Sequence, residues 1–294
     1  MEIFGVPSAL LGSQLLVGLI NGSFYAVLSL GLAIIFGLLN IINFAHGAQY
    51  MMGAFIAWLA LTKLNINYWV ALIAAPMLVG LFGVILERTM LRKLYKLDHL
   101  YGLLLTFGLA LIIEGIFRDQ FGISGESYEV PEALAGGVNL GFMFLPIYRA
   151  WVIIASLTVC FGTWYMIEKT RLGAYLRAGT ENSQMVQALG INVPLLITFT
   201  YGYGVALAAF AGVLAAPIFQ VNPLMGSNLI IVVFAVVVIG GMGSILGSIV
   251  TGIGLGLIEG LTRVFYPEAS AVVVFVIMVI VLLLRPAGLF GKAA

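Results

Sequence analysis

Two long runs of the chain carry no charged side chain, and they limit what this sequence can fold into. Residues 3–62 and residues 182–258 contain no Asp, Glu, Lys or Arg. A helix that crosses a bilayer needs about 20 consecutive apolar residues, so each run is long enough for more than one crossing. The two runs therefore predict a chain that passes through a membrane several times.

The composition indicates the same class of protein. Charged residues make up 9% of the 294 residues, whereas soluble domains carry about 25%. We expect an all-α polytopic membrane protein of about eight or nine transmembrane helices, some of them broken or re-entrant. Residues 1–294 are interpreted as a single transmembrane domain. The formal net charge of +1 gives no reason to expect a nucleic-acid partner.

Apolar segments give the approximate positions of the helices. Residues 9–39 exceed one straight crossing at about 1.5 Å per residue, so this segment is tilted, broken or followed by a partial helix. The glycines at 240–243 break residues 229–262, or they form a tight hairpin between two short spans. The other predicted spans are roughly 48–62, 69–87, 100–117, 147–167, 195–219 and 271–284.

Four polar side chains interrupt the apolar sequence at three-residue spacing; they are Asn40, Asn43, His46 and Gln49. Polar clusters at membrane depth are costly and often face a bundle interior or a water-filled cavity. Broken helices line the substrate site in several transporter folds. We interpret the four as candidate translocation-pathway residues, on a polar stripe or at a helix break. Hydrogen bonding between helices without contact to cargo is the alternative. No metal-ligand role is expected for the histidine, because no Cys or carboxylate lies near it in sequence.

Residues 168–194 form a polar interruption between two apolar spans. Thr180 can cap a helix, and the pattern that follows predicts one short helix over residues 181–189, outside the bilayer. This helix is either an ordinary surface helix or a docking element for a soluble partner. Its candidate docking residues are Glu181 in the first turn, Met185 and Leu189 on one face, and Gly190 at the end.

Glycines recur at close to four-residue spacing near the C-terminus, at Gly243, Gly247, Gly252 and Gly256. Small residues at this spacing let membrane helices approach closely, so they indicate packing rather than chemistry. The phosphate-binding pattern G-x-x-x-x-G-K-[ST] does not occur in the sequence, so we expect no nucleotide cofactor in this chain. No cluster of His, Cys or carboxylate residues suggests a catalytic or metal site.

Charged residues at the ends of spans indicate ion pairs and orientation. Glu114 and Arg118 are four residues apart and predict an interfacial ion pair, and Glu259 and Arg263 share this spacing. The positive-inside rule places most of the basic residues in the cytoplasm and the acidic loop 121–146 outside. The basic residues assigned to the cytoplasm are Arg88, Arg92, Lys93, Lys96, Lys169, Arg171, Arg177, Arg285 and Lys292.

Three stretches resemble one family. GLLNIINFAHGAQYMMGA at residues 37–54 looks like a hallmark of the inner-membrane permeases of branched-chain amino acid ABC importers. RAGTENSQMVQALGINV at 177–193 and GGMGSILGSIVTG at 240–252 are similar to the same family. The resemblance covers nearly the whole chain, and it is greatest to the LivH member of the LivH–LivM pair. Urea and short-amide permeases carry a similar first motif, usually without a phenylalanine at the position of Phe44, which favours amino acids.

The resemblance implies a permease domain in the bacterial inner membrane that imports branched-chain or other neutral amino acids. It implies a LivM-like second permease, two ATP-binding subunits that hold the ATP, and a periplasmic or lipid-anchored substrate-binding protein. It also implies that the helix at 181–189 couples the permease to an ATP-binding subunit. A urea or short-amide permease of the same family is one alternative. A stand-alone secondary transporter or channel is another, although a proton- or sodium-coupled carrier should show carboxylates in the middle of its spans.

Overall fold

The computed structural model describes residues 2–3, 6–39, 42–95, 97–141 and 143–291. Two short antiparallel hairpins pair β1 (Glu2–Ile3) with β2 (Val6–Pro7), and β3 (Gly137–Asn139) with β4 (Phe144–Pro146). The α-helices of these residues are α1 (Ser8–Leu39), α2 (His46–Leu64), α3 (Tyr68–Thr89), α4 (His99–Phe121), α5 (Ile147–Lys169), α6 (Arg171–Glu181), α7 (Ser183–Ala188), α8 (Val193–Ala215), α9 (Met225–Gly240), α10 (Ile245–Phe265) and α11 (Val273–Leu284).

The predicted all-α polytopic class is confirmed. In the described part of the chain, six helices are long and apolar enough to cross a membrane: α1, α3, α4, α5, α8 and α10. Two shorter apolar helices, α9 and α11, add to them, and α2 combines a polar first turn with an apolar remainder. Side-chain caps fix several helix starts, because each accepts an otherwise unpaired backbone N–H. These caps are Asn67, Asp98, Asn182, Asn192 and Ser244.

Glycines bring α1 and α10 into backbone contact. A Cβ atom added at Gly256 would lie 2.4 Å from the carbonyl oxygen of Gly18. One added at Gly252 would lie 2.6 Å from the backbone nitrogen of Ala26. Because no side chain separates the two backbones, α1 and α10 pack closely along their length, as small residues allow in membranes.

The turn between α9 and α10 uses glycine for its conformation as well. Gly241 and Gly243 have φ angles of +99° and +88°, values that other residues adopt only with strain. Gly243 also lies against Gly37 of α1, where an added Cβ would meet a backbone atom at 2.8 Å. The glycine run thus forms a tight hairpin between two spans, one of the two outcomes expected from the sequence.

The bundle has two ends with different charge. We call the end of the bundle that contains Arg92 the basic end. There the Arg92 guanidinium donates to the carbonyl of Pro194 at 3.1 Å, and residues of α1, α5, α6 and the α9–α10 turn line a cavity. At the opposite end, Tyr148 donates to the carbonyl of Leu214 at 3.0 Å, and Glu126 pairs with Val221 in an isolated β-bridge.

The first apolar segment is one continuous helix of 32 residues, so the structure excludes the broken helix among the expected alternatives; its length of about 48 Å exceeds the hydrocarbon core of about 30 Å. Two other expectations are corrected by the structure. Glu114 and Arg118 do not form the predicted ion pair: across the described ranges, the ion pairs within 4.0 Å involve other residues. The predicted helix over residues 181–189 is shorter and starts later, since α6 ends at Glu181 and α7 begins at Ser183.

Candidate functional site

The connection between α1 and α2 is a helix break inside the bundle. Residues 42–45 are not helical, and α2 begins at His46, beside the middle of α1. There the Nε2 atom of His46 lies 3.0 Å from the carbonyl oxygen of Leu28, and an added Cβ on Gly31 would lie 3.0 Å from the imidazole ring. The chain therefore reaches the end of α1 and returns to membrane depth before α2 starts.

The polar residues predicted for the pathway form hydrogen bonds at this helix break. Asn43 donates from Nδ2 to the Oε1 of Gln49 at 3.0 Å, and Asn43, His46 and Gln49 are all fully buried. Thr106 of α4, which the sequence analysis missed, accepts from the N–H of Phe44 at 3.2 Å and donates to the carbonyl of Ile42 at 3.0 Å. Of the four predicted residues, Asn40 lies outside the described residues.

The same cluster retains unused hydrogen-bonding capacity. Among the described residues, no protein partner lies within hydrogen-bond distance of Asn43 Oδ1 or His46 Nδ1. A buried polar atom without a partner costs about 1–3 kcal/mol. The arrangement supports a structural role at the break, and it leaves polar atoms free inside the subunit.

A cavity lined by both polar and apolar residues lies toward the opposite end of the bundle. Its volume is about 550 Å³, within the range of about 300–1,000 Å³ typical of small-molecule sites. The residues that line it come from α1, α2, α9, α10 and the connection between α8 and α9. They are Asn21, Phe24, Tyr25, Tyr50, Ile218, Phe219, Gln220, Asn222, Met225, Asn228, Leu229 and Arg263.

A hydrogen bond and an ion pair connect polar and charged side chains in the wall of this cavity. The Glu259 carboxylate accepts from the Tyr25 hydroxyl at 2.9 Å and pairs with Arg263 one helical turn later. Glu259 is 7% exposed, whereas the guanidinium of Arg263 reaches the cavity. Sequence spacing indicated the Glu259–Arg263 pair, but Tyr25 is 234 residues away in sequence, so no local pattern could have joined it to them.

The basic end contains a second buried carboxylate. Glu87 is fully buried, accepts from the hydroxyls of Tyr95 at 2.9 Å and Thr198 at 2.7 Å, and lies 3.4 Å from the Nε of Arg92. Burial, and then the neighbouring carboxylate, raise the pKa of Tyr95 above its ordinary value, so the phenol remains a donor. This cluster, which the sequence analysis did not identify, joins the end of α3 to the start of α8.

The candidate docking residues lie on the surface at the basic end. Asn182, rather than Thr180, caps the short helix, and its side chain accepts from the N–H of Met185 at 2.9 Å. Met185 is 65% exposed and Leu189 is 72% exposed. Gly190 ends the segment with a φ of +83°, a conformation that glycine adopts without strain.

Glu181 lies apart from the apolar pair, at the end of α6. It lines a cavity of about 730 Å³ at the basic end, together with Lys169, Arg177 and the α9–α10 turn. The predicted role of Glu181 in the first turn of the docking helix is therefore wrong, because the residue belongs to the preceding helix.

The glycines predicted for packing all contact backbone. Gly243 faces Gly37 of α1, and Gly247 faces Gly240 and Ser244, where its added Cβ would lie 2.2 Å from the carbonyl oxygen of Gly240.

In the described ranges, no group of three His, Cys, Asp or Glu residues lies close enough together to hold a metal ion.

Comparisons with known proteins assign the family. The family model described as branched-chain amino acid transport system, permease component, matches residues 14–282. The chain is 34% identical over 296 residues to the high-affinity branched-chain amino acid transport system permease protein BraD of Pseudomonas aeruginosa, and the match covers 95% of each chain. It is 29% identical over 294 residues to the corresponding protein LivH of Escherichia coli, again over 95% of each chain.

A solved structure supports the fold alone. PsaBC from Streptococcus pneumoniae in complex with Fab matches with a TM-score of 0.50 at 12% sequence identity, covering 93% of this chain and 92% of that chain. The match to the family model and the 34% identity to a relative over nearly the full length carry the assignment. The chain belongs to the permease-component family of the branched-chain amino acid transport systems.

Proposed function

We propose that this chain forms half of the translocation pathway of an importer for branched-chain or other neutral amino acids in the bacterial inner membrane. The observation that carries the proposal is the full-length similarity to BraD and LivH. The chain is a permease subunit of an ABC importer and a transport protein rather than an enzyme.

The pathway needs partner subunits. A LivM-like permease supplies the other half, two ATP-binding subunits bind and hydrolyse ATP, and a periplasmic or lipid-anchored protein delivers the substrate. The absence of a phosphate-binding motif from the sequence supports the assignment of ATP to other chains. Membrane lipid surrounds the apolar outer faces of the spans.

Two surfaces of the chain fit this division of labour. At the basic end, the exposed side chains of Met185 and Leu189 offer an apolar contact to an ATP-binding subunit. At the opposite end, the cavity of about 550 Å³ offers a place for substrate released by the binding protein. Asn43, His46 and Gln49 lie at the break between α1 and α2, and His46 lines a closed space together with Tyr50 and Leu229 of the cavity wall.

The test is uptake by the complete transporter. The five components are reconstituted in liposomes with ATP inside and binding protein outside, and uptake of labelled leucine is measured against excess leucine, isoleucine, valine, alanine, urea and acetamide. We expect the branched-chain amino acids to compete at the lowest concentrations. Uptake of labelled urea or acetamide by a complex that takes up no labelled leucine would contradict the amino-acid assignment, and ATP-independent uptake by this chain without its partners would contradict the importer assignment.

A further inference from the structure

The cavity at the opposite end combines one charged group with polar and apolar surface. Arg263 is the one charged residue among the described residues that line it. Its guanidinium is held by Glu259, which the Tyr25 hydroxyl holds in turn at 2.9 Å. A guanidinium carries five N–H donors in a planar fork that matches a carboxylate. Because the pair with Glu259 uses part of this fork, donors remain for a ligand.

The charge of the arrangement selects among ligands. Glu259 and Arg263 together are neutral, so the cavity wall has one fixed cation with its counter-ion already bound. A ligand of strong negative charge would face the nearby carboxylate, and a cation would face the guanidinium. A zwitterion places its carboxylate on the guanidinium and brings its own compensating ammonium group, so it adds no net charge to the site.

Free amide groups are available for the ammonium group. In the structure as described, neither Asn21 nor Asn228 has a side-chain hydrogen bond to protein, and both line the cavity. Amide oxygens accept from an ammonium ion, which has three donors and no acceptor. The two residues come from α1 and α9, so they reach the cavity from different helices.

The rest of the wall is apolar. Phe24 and Phe219 lie with ring centroids 5.7 Å apart and an interplanar angle of 59°, and Leu229 lines the cavity beside Tyr50. Burying an aliphatic side chain against such groups favours binding. Below Tyr50 and Leu229, residues of α1, α2 and α9 close the space.

We infer that this cavity is a binding site for the free amino acid within the permease. Arg263 binds the α-carboxylate, Asn21 and Asn228 accept from the ammonium group, and Phe24 and Phe219 contact the aliphatic side chain. Tyr25 and Glu259 are positioning residues that hold the guanidinium. The inference rests on the proposed function, since it assumes an amino acid as cargo, and it adds a substrate site within the permease to that of the delivery protein.

Protection of a single cysteine tests the site in the assembled transporter. Ile218→Cys, on the cavity wall, is introduced with Cys160→Ala, which removes the native cysteine of this chain. The complete complex in nanodiscs, without binding protein, is treated with a maleimide. We expect millimolar leucine to slow labelling at least threefold, and leucinol, which lacks the carboxylate, to leave the rate unchanged. Ile123→Cys, exposed at the same end, serves as the reporter outside the cavity and should show no protection.

Variants of Arg263 test whether protection of the cysteine by leucine depends on the guanidinium. Arg263→Gln should abolish protection by leucine, and Arg263→Lys should retain part of it. Arg118→Gln removes an exposed guanidinium at the same end and should leave protection intact. Where Arg263→Gln does not assemble, the comparison of leucine with leucinol on the unaltered arginine decides the question.

The results separate the site from the proposed function. Equal protection by leucine and leucinol, or full protection in an assembled Arg263→Gln complex, overturns the site. Leucine uptake by the unmodified complex without any protection of Ile218→Cys also overturns it and leaves the proposed function standing. Failure of the unmodified complex to take up any amino acid contradicts the proposed function itself.

Discussion

Thr198 and Thr200 are both buried in α8, but their hydroxyl groups have different surroundings. Each residue is 2% exposed. The Thr198 hydroxyl lies 2.7 Å from a carboxylate oxygen of Glu87 and also accepts from Arg92 at 3.0 Å. Within the described ranges, the Thr200 hydroxyl has no hydrogen-bond partner. The two threonines therefore form a matched pair for measuring what the Glu87 cluster contributes.

Thr198→Val should lower the free energy of unfolding, because a hydrogen bond to a charged group contributes about 1.5–3 kcal/mol. Thr200→Val should leave stability unchanged or raise it, since the valine removes a buried hydroxyl that has no partner. Both variants are compared with the unmodified chain by thermal unfolding in detergent, followed by tryptophan fluorescence. Equal stability of the two variants would show that the Thr198 hydroxyl adds no stability through its contact with Glu87.

Two glycines of α10 also form a matched pair, because only one of them packs against another helix. A Cβ at Gly256 would meet backbone atoms of Gly18 and Gly22 at 2.4 Å, whereas a Cβ at Gly254 would meet nothing within 4 Å. The helix has a close-packed face toward α1 and a second face that leaves room for a side chain. Helix propensity is the same for both positions, so any difference between them reports packing.

Gly256→Ala should destabilise the chain by about 1–3 kcal/mol, because α1 and α10 must move apart to admit the methyl group. Gly254→Ala should be neutral, or more stable by about 0.5–1 kcal/mol, since alanine loses less backbone entropy in a helix. Urea or SDS unfolding of both purified variants measures the difference. Comparable loss of stability in both would show that α1 and α10 do not depend on backbone contact.

The short helix α7 is too small to be stable alone, since isolated helices of fewer than about 12–15 residues are marginal in water. Its position is fixed by the Asn182 cap, by the glycine turn at Gly190, and by Val186, which is 6% exposed. The exposed apolar side chains of Met185 and Leu189 thus project from a segment whose position is fixed. Rigid-body transmission between subunits requires such a packed contact.

Leu189→Asp should weaken assembly with the ATP-binding subunits at least about tenfold. The substitution removes about 1.5–3 kcal/mol of apolar burial and adds the cost of desolvating a carboxylate, and about 1.4 kcal/mol is a factor of ten in affinity. Leu189→Met, which keeps volume and polarity, should assemble normally. Co-purification and substrate-stimulated ATP hydrolysis are measured; wild-type values for the aspartate variant would mean that this surface is not the coupling contact.

For the whole molecule, the sequence predicted the helices better than the sites. Hydropathy located the spans because the length of an apolar helix is set by the bilayer, and α3, α4, α5 and α11 lie close to the predicted ranges. The break between α1 and α2 was among the expected outcomes because polar residues inside a bilayer need a structural or functional reason. The bounds of α7 were wrong because Asn182 competes with Thr180 as a cap.

The cavity could not be predicted because its residues are far apart in sequence. Asn21, Tyr50, Asn228 and Arg263 belong to four helices, and no pattern within one segment joins them. The sequence instead drew attention to residues close together in the chain, which the structure places at a helix break. Local spacing identified Glu259 with Arg263 but also suggested a pair of Glu114 with Arg118 that does not form. Only tertiary contacts distinguish the two cases.

The distribution of charge over the two ends predicts the orientation of the whole chain in the membrane. Among the described residues, the basic end carries Arg88, Arg92, Lys93, Lys169, Arg171, Arg177 and Arg285, and the opposite end carries Lys63, Arg118, Arg149 and Arg263. Lys96 and Lys292 lie outside the described residues. Loops rich in Lys and Arg stay in the cytoplasm during insertion, so the basic end should be cytoplasmic and the acidic loop 121–146 external.

Single cysteines at Lys93 and Glu129, both exposed, test this orientation in a Cys160→Ala background. A membrane-impermeant maleimide should label Glu129→Cys in cells whose outer membrane alone is permeabilised, and it should label Lys93→Cys only after the inner membrane is opened. The orientation brings Met185 and Leu189 to the side where ATP is found and the Arg263 cavity to the side where a binding protein delivers its cargo. Labelling of Lys93→Cys from outside would show that the chain has the opposite orientation in the membrane. Neither surface could then meet the partner assigned to it.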